Sequence, residues 1–259
     1  MAETALVTGA SSGIGTVFAK QLAQAGYGLI LVARRVERLE ALATELREKH
    51  GVTVTVLPAD LARPEAIEKL AESVSAQGLE VDLLVNNAGI GHHGPFVEAP
   101  WEPEQRMIDL NMTALTAMTH RFLPGMLARK RGGVINVAST AAFQPIPFMA
   151  VYAATKAYVL SFSEAIAEEA APHGVKVVCL CPGPTETEFV DKAEFKTDII
   201  SKAPMMTAES VVSAALASYR RGETVSVPGV LNSLSATLPR FSPRRLTAKI
   251  AGSLFKPTH

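Results

Sequence analysis

A short apolar strand, Thr4 to Thr8, runs directly into Gly9-Ala10-Ser11-Ser12-Gly13-Ile14-Gly15. A segment with Phe18, Leu22 and Ala25 at helical spacing follows. Strand, glycine-rich turn and helix in that order bring backbone N–H groups and the positive end of a helix to one point, the arrangement that holds a pyrophosphate. The glycines permit close approach because they carry no side chain. As a bare pattern this is weak; after the first strand of a β-α-β unit it is strong.

The rest of the chain repeats the alternation. Strands are predicted at Gly28 to Ala33, Val52 to Leu57, Val81 to Val85, Val134 to Ala138, Val175 to Leu180 and Thr224 to Val227. The intervening segments read as helices: Pro64 to Gln77 puts Ile67, Leu70, Ala71 and Val74 on one face, and a long helix runs from about Glu102 to Arg129. Thr207 caps a further helix that Gly222 ends. Short apolar strands alternating with amphipathic helices predict a parallel sheet covered on both faces and right-handed crossovers. The expectation is one doubly wound α/β domain over all 259 residues, for no linker, repeat or low-complexity tract divides them.

The end of the second strand bears on which nucleotide binds. NAD sites commonly place a carboxylate there for the ribose hydroxyls. This chain has Ala33-Arg34-Arg35 instead, and a guanidinium pairs with a phosphate through charge-assisted, often bidentate bonds. Two cations at a helix start also oppose the helix dipole, which favours an anion between them over a merely solvated face. NADPH is therefore expected over NADH, with Ser12 placed to reach the same phosphate.

The chemistry centres on Tyr152-Ala153-Ala154-Thr155-Lys156. On a helix, Lys156 sits one turn beyond Tyr152 and shares its face. A free phenol titrates near pH 10, and an adjacent cation is expected to pull that value down and so make the tyrosine a proton donor and acceptor. In isolation such a pair is usually an ordinary buried Tyr beside a solvated Lys. Ser139 alone reads as a turn residue after a strand, and Asn111 alone as a helix residue. Their joint presence with the nucleotide turn is the argument.

Together these stretches resemble the short-chain dehydrogenase/reductase family. The motifs are Thr8 to Gly15, Asn86-Asn87-Ala88-Gly89, Asn111, Ser139, Tyr152 with Lys156, and Pro182-Gly183 with Thr187. The resemblance covers nearly the whole chain. It implies an NADP(H)-dependent carbonyl reductase, with Tyr152 as general acid/base, Ser139 holding the substrate oxygen, and Lys156 lowering the tyrosine pKa while binding the nicotinamide ribose. Asn111 would hold a relay water on its backbone carbonyl. The implied cofactor wall comprises Gly9, Ser11, Ser12, Gly13, Ile14 and Gly15, then Asp60 and Leu61 at the adenine. Asn87, Ala88 and Gly89 follow, and Pro182, Gly183, Thr185 and Thr187 lie beside the carboxamide. Arg34 stands where NADP-preferring members put a basic residue. Local phrases from Gly26 to Arg35 and from Cys181 to Phe189 are similar to a bacterial branch close to 3-ketoacyl and hydroxysteroid reductases; they do not fix a substrate. Members pair subunits through helices like those starting at Glu102 and Tyr152, so a homodimer or homotetramer is expected.

Basic and acidic residues balance at 25 each, which gives no electrostatic case for nucleic acid. No metal-ligand spacing surrounds the six His residues; His92-His93 reads as a loop feature. Cys179 and Cys181 alternate on one strand, a poor disulfide geometry, so a reducing cytoplasm is expected. Neither a secretory signal nor a membrane span is read in the chain.

Two segments are expected to vary with substrate. Residues 188–206, with Phe189, Phe195, Ile199 and Ile200, read as a substrate lid, the alternative being a surface excursion. Residues 228–259 form the other segment. No acidic residue follows Glu223, while Arg240, Arg244, Arg245, Lys249 and Lys256 do, leaving 20 basic against 25 acidic residues in the rest. Leu246, Ile250 and Leu254 repeat every four residues among those cations, the pattern of a basic amphipathic helix. It either packs over the substrate mouth or another subunit, or docks on an anionic membrane or an acidic acyl-carrier partner. The leading expectation is reduction of a small hydrophobic ketone or aldehyde, with a 3-oxoacyl chain or steroid as candidates. A noncatalytic NADPH-binding regulator and a membrane-docked lipid reductase are the alternatives.

Overall fold

The computed structural model describes residues 2–189 and 205–257. Its strands are β1 (Thr4–Thr8), β2 (Gly28–Val32), β3 (Val54–Val56), β4 (Leu83–Asn86), β5 (Gly133–Val137), β6 (Lys176–Leu180) and β7 (Val225–Ser226). They form one sheet in the order β3-β2-β1-β4-β5-β6-β7, parallel throughout. The chain winds outward from β1 to β3, then returns to lay β4 against the other side of β1. Crevices for ligands open at such a reversal, beyond the carboxyl ends of the strands. The glycine turn after β1 and Asn86-Asn87 at the end of β4 face each other there.

Every residue of β2, β4 and β5 is buried, as both faces of a parallel sheet must be. The period-2 alternation divides them: Val7, Leu31, Val85 and Ile135 enter one core, while Leu6, Ile30, Leu84 and Val134 enter the other. The first core is covered by α1 (Gly13–Gln24), α2 (Val36–His50) and the capped helix, α7 (Ala208–Arg221), through Phe18, Leu39 and Val212. The second is covered by α3 (Pro64–Ala76), α5 (Leu115–Arg129) and α6 (Ala150–Ala170), through Ile67, Met118 and Ala167.

The expected strands and helices are present, β1 with the expected bounds and most of the others with shifted ends. The two edge strands are the most shortened, β3 to three residues and β7 to two, because each has a ladder partner on one side alone. The expected helix from Glu102 is α4 (Trp101–Ile108), a π-helical stretch Asp109–Ala114 and then α5. Thr207 and Gly222 close α7 as read: the Thr207 hydroxyl accepts from Ser210 N at 3.2 Å, and Gly222 takes φ 75°. Two C-terminal helices follow, α8 (Val230–Thr237) and α9 (Arg244–Leu254). Most of the expected lid, including Phe195, Ile199 and Ile200, lies outside the described residues.

Gly15 shows how tightly α1 is drawn onto β1. A Cβ there would lie 2.3 Å from the Gly9 carbonyl oxygen and 2.5 Å from Asn87 Nδ2. Gly15→Ala is accordingly expected to destabilise the fold by about 3 kcal/mol, since the obstruction is backbone and has no rotamer to escape into. Chemical denaturation measures this; an unchanged midpoint would show that α1 does not need this close approach.

Candidate active site

Backbone geometry at the β1–β4 reversal is held by Asn87 and Thr8. Asn87 Nδ2 donates to Thr8 O at 2.8 Å and to Gly9 O at 3.4 Å, and the Thr8 hydroxyl accepts from Asn87 N and Ala88 N. Gly9 has φ 67°, and a Cβ on it would lie 2.7 Å from Asn87 Nδ2. Ser12 precedes α1 without capping it by its side chain, and the first turn of α1 has no acidic residue. The helix N-terminus thus offers its N–H groups to the cleft, the condition for an anion.

One cleft of about 810 Å³ runs from this turn across the sheet edge. Gly9, Ser11, Ser12, Gly13, Ile14, Arg34, Asp60, Leu61, Asn87, Ala88 and Gly89 line one part; Pro182, Gly183, Thr185 and Thr187 line the next, beside Ser139, Tyr152 and Lys156. Two of the expected residues do not line it. Gly15 lies beneath the turn, where its role is the close packing described above, and Asn111 is 1% exposed behind Gly89. Thr185 turns its hydroxyl to Gly183 O at 2.9 Å, and Thr187 packs against Gly13.

The cation cluster differs from expectation in its membership. Arg34 lies exposed at the cleft edge. Arg35 turns back onto the turn: its Nε and Nη2 donate to the Ser11 hydroxyl at 3.2 Å, and Nη1 reaches Glu188 at 3.1 Å. Arg38, one turn along α2, pairs with the other Glu188 oxygen at 2.5 Å. Two cations at a helix start do attract an anion, here a carboxylate of the chain itself. Arg38 was legible as Arg35 plus three; Glu188, 153 residues from Arg35, was not. Asp60 is engaged by Arg106, whose Nη2 lies 2.7 and 2.8 Å from its two oxygens. Burial raises the Asp60 pKa, and the Arg106 guanidinium outweighs it, holding the carboxyl below its ordinary value.

Tyr152 and Lys156 share one face of α6, with Lys156 Nζ 5.8 Å from the phenol ring centroid. Lys156 Nζ donates to Val137 O at 2.9 Å, which ties the helix to the end of β5. The expected lowering of the tyrosine pKa is not found. Burial pushes Tyr152 up to about 12, outweighing the Ser139 hydroxyl, which acts in the other direction, and pushes Lys156 down to about 8. Both groups are buried, so loss of solvent penalises the charged form of each more than they stabilise one another. Ser139 Oγ accepts from Ala141 N at 3.1 Å, which fixes the serine at the head of the Thr140–Phe143 turn.

Asn111 sits in the π-helical stretch. Its Oδ1 accepts from Ile90 N at 3.0 Å, and its Nδ2 donates to Ile90 O at 2.9 Å and to the Thr155 hydroxyl at 3.1 Å. Its side chain therefore knits the 87–91 loop to α6; Gly89 fits because a Cβ there would meet Asn111 Oδ1 at 3.2 Å and Lys156 Nζ at 3.5 Å. Beneath lies a buried polar chain that sequence reasoning missed: Asn86 Nδ2 donates to Asn136 Oδ1 (2.9 Å) and to the Thr119 hydroxyl (3.0 Å), and Asn136 Nδ2 donates to Ser163 Oγ (2.9 Å). Asn136 lies singly on an apolar strand, and Thr119 and Ser163 sit among other polar residues of amphipathic helices, so nothing local marks any of the three as buried.

The far end of the cleft is apolar, with Ile90, Ile146, Met149, Phe189, Leu231 and Phe255. The Phe189 ring centroid stands 5.8 Å from that of Tyr152. His92 pairs with buried Glu104 at 2.7 Å, and His93 Nε2 lies 2.8 Å from Phe255 O, so the two histidines anchor a loop and the C-terminal segment. Cys179 and Cys181 are free and buried, their sulfurs 3.7 Å apart.

Comparison with known proteins yields a consistent result. Residues 3–197 match the profile described as short chain dehydrogenase. A very-long-chain 3-oxoacyl-CoA reductase of Pyrenophora tritici-repentis is 39% identical over 180 residues, 68% of this chain and 53% of that protein. This chain's match spans about half the length of such fungal relatives. Among solved structures, a short-chain dehydrogenase from Sphingobium yanoikuyae in complex with NADPH superposes with a TM-score of 0.83 at 35% identity, covering 92% of this chain and 94% of that one. A bulky-bulky ketone specific alcohol dehydrogenase from Comamonas testosteroni gives 0.78 at 31% identity, covering 92% and 93%.

Proposed function

The chain belongs to the short-chain dehydrogenase family, and from that premise we propose that it is an NADPH-dependent reductase of hydrophobic ketones or aldehydes, with a 3-oxoacyl or steroid-like carbonyl as the substrate class. One observation carries the reading. A buried Tyr-Lys pair and a serine stand in one cleft, between a turn built for a pyrophosphate and an apolar wall.

The cleft fits the dinucleotide on its own features. The α1 N-terminus is uncapped by any side chain, the Gly9 turn has no room for a Cβ, and the end of β2 presents Arg34 and Arg35 where NAD sites carry a carboxylate. Asp60, Leu61, Ala88 and Gly89 would flank the adenosine side; Pro182, Gly183, Thr185 and Thr187 would flank the nicotinamide side. When bound, the cofactor supplies a hydride for the carbonyl carbon.

The protein's part is acid catalysis and positioning. Tyr152 keeps its proton at neutral pH, since burial raises its pKa to about 12, and donates it to the carbonyl oxygen as negative charge develops there. Ser139, beside the phenol, offers the same oxygen a second hydrogen bond. Lys156 Nζ holds the end of β5, and Asn111 holds the loop behind it. The apolar wall excludes water, which strengthens both hydrogen bonds. The fold's long helices α4–α5 and α6 pair copies of the chain into a dimer or tetramer in the same reading.

Cofactor choice tests the proposal. Wild type is expected to oxidise NADPH with a hydrophobic ketone at least about a hundredfold more efficiently than NADH, a difference of about two phosphate-pairing bonds. Arg34→Ala should erase most of that preference by raising KM for NADPH alone, since Arg34 is exposed at the cleft edge while Arg35 is engaged by Ser11 and Glu188. Equal use of both cofactors by wild type would sink the phosphate assignment.

A further inference from the structure

We propose that the outer face of α8 and α9 docks on an anionic lipid surface, with the substrate mouth opening onto that surface. The docking rests on the C-terminal helices themselves; the delivery of a lipid-dissolved carbonyl through the mouth rests on the reading above.

Helix α8 is turned the wrong way round for a helix whose sole partner is its own protein. A surface helix buries its large apolar side chains and exposes its polar ones. In α8 the buried residue is Ala236, and Asn232 faces inward to donate to Pro228 O at 2.8 Å. Val230, Leu231 and Leu234 are 53–78% exposed, and Leu238 and Phe241 in the following turn reach 64% and 83%. In α9 the pattern continues. Leu246, Ile250 and Leu254 fall within about 80° of arc at about 100° per residue, and all three remain about half exposed, while Thr247 and Ala251 make the buried stripe.

Charge identifies the occupant. Arg245 and Lys249 flank the exposed stripe of α9 on the side away from Thr247 and Ala251. Arg240, Arg244 and Lys256 are also in this segment, and no acidic residue follows Glu223. Apolar side chains beside cations, with no anion among them, match a bilayer interface carrying negative headgroups. A second copy joined about a two-fold axis would set this same positive face against itself. The apolar side chains are mostly Leu, Ile and Val spread over two helices. Leu and Val are under-represented among the anchors of specific protein interfaces.

The cleft opens on this face. Leu231 of α8 and Leu254 of α9 each line the cavity while being 68% and 48% exposed, and Phe255 lies beside Leu254 in the lining. A carbonyl compound dissolved in lipid would pass between the two helices to Tyr152 without crossing water.

Sedimentation of the full chain with vesicles tests this. Vesicles of phosphatidylcholine alone are compared with vesicles containing about one quarter phosphatidylglycerol, at low and high salt. Wild type should bind the anionic vesicles at least about tenfold more strongly, and lose that excess at high salt. Arg245→Glu with Lys249→Glu should weaken anionic binding at least about tenfold; Phe241→Ser with Ile250→Ser should weaken it as well. None of these four residues lines the cleft, so both variants should turn over a water-soluble ketone like wild type, which verifies their folding. Absence of vesicle binding by wild type would overturn the proposal. So would an oligomer that Phe241→Ser with Ile250→Ser dissociates, or capture of an acidic acyl-carrier protein by a chain that ignores vesicles. Vesicle binding needs no turnover: a chain that binds vesicles yet reduces no carbonyl overturns the catalytic reading and leaves the docking standing.

Discussion

Tyr152→Phe is expected to lower carbonyl reduction by about two to four orders of magnitude, the usual contribution of a positioned general acid. The substitution removes one oxygen from a buried ring that packs near Phe189, so stability should change by no more than about 1 kcal/mol. Loss of rate at unchanged unfolding midpoint therefore separates chemistry from folding. The pH dependence has a definite sign. Burial raises Tyr152 to about 12, so the acid form needed for reduction prevails from pH 6 to 9, and the reductive rate should show no Tyr152 inflection there. Alcohol oxidation needs the phenolate, which is scarce at neutrality and grows about tenfold per pH unit below its pKa. The oxidative rate should climb through the alkaline range.

Lys156→Met should abolish most activity and yet stabilise the protein at neutral pH. Burial lowers Lys156 from 10.5 to about 8, a penalty on the folded state of roughly 3 kcal/mol. Methionine fills the same space without charge. It leaves the Val137 carbonyl without its donor, which returns about 1–2 kcal/mol of the gain. A net rise in stability of about 1–2 kcal/mol at pH 7 is expected. The sign with pH follows from the lowered folded value: between about 8 and 10.5 the unfolded chain binds more protons at this lysine than the folded one. Its penalty is full below that window and fades as pH rises through it. Denaturation of wild type and variant side by side at pH 7 and in the alkaline window cancels the contributions of other groups. The advantage of methionine should shrink as pH rises. A variant equally destabilised at both pH values would mean that Lys156 is a structural cation.

Much of this arrangement was legible because it depends on local chemistry. The Gly9 turn, the Thr207 and Gly222 caps and the alternation of strands and helices each follow from residues close together in the chain, and the doubly wound order follows from them. The site residues that the sequence could not supply come from long-range pairing. Glu188 meets Arg35 and Arg38 across some 150 residues, and Arg106 reaches back to Asp60. The Tyr152 pKa was misjudged for a related reason. Spacing shows that a lysine is near, but not that both groups are buried, and here burial decides the direction. In α9 the amphipathic repeat is legible in the sequence, but its apolar stripe stays half exposed beside a buried face made by Thr247 and Ala251.

The most direct test of the account is stoichiometric. Purified protein is given NADPH and a panel of bulky ketones, aldehydes and 3-oxoacyl thioesters, and the alcohol formed is measured against the NADPH consumed, beside Tyr152→Phe. The account predicts one alcohol per NADPH with at least one member of the panel, and near-silence from the variant. Tight NADPH binding with no alcohol from any compound would contradict it, and would make the chain a nucleotide-binding regulator built on a reductase fold.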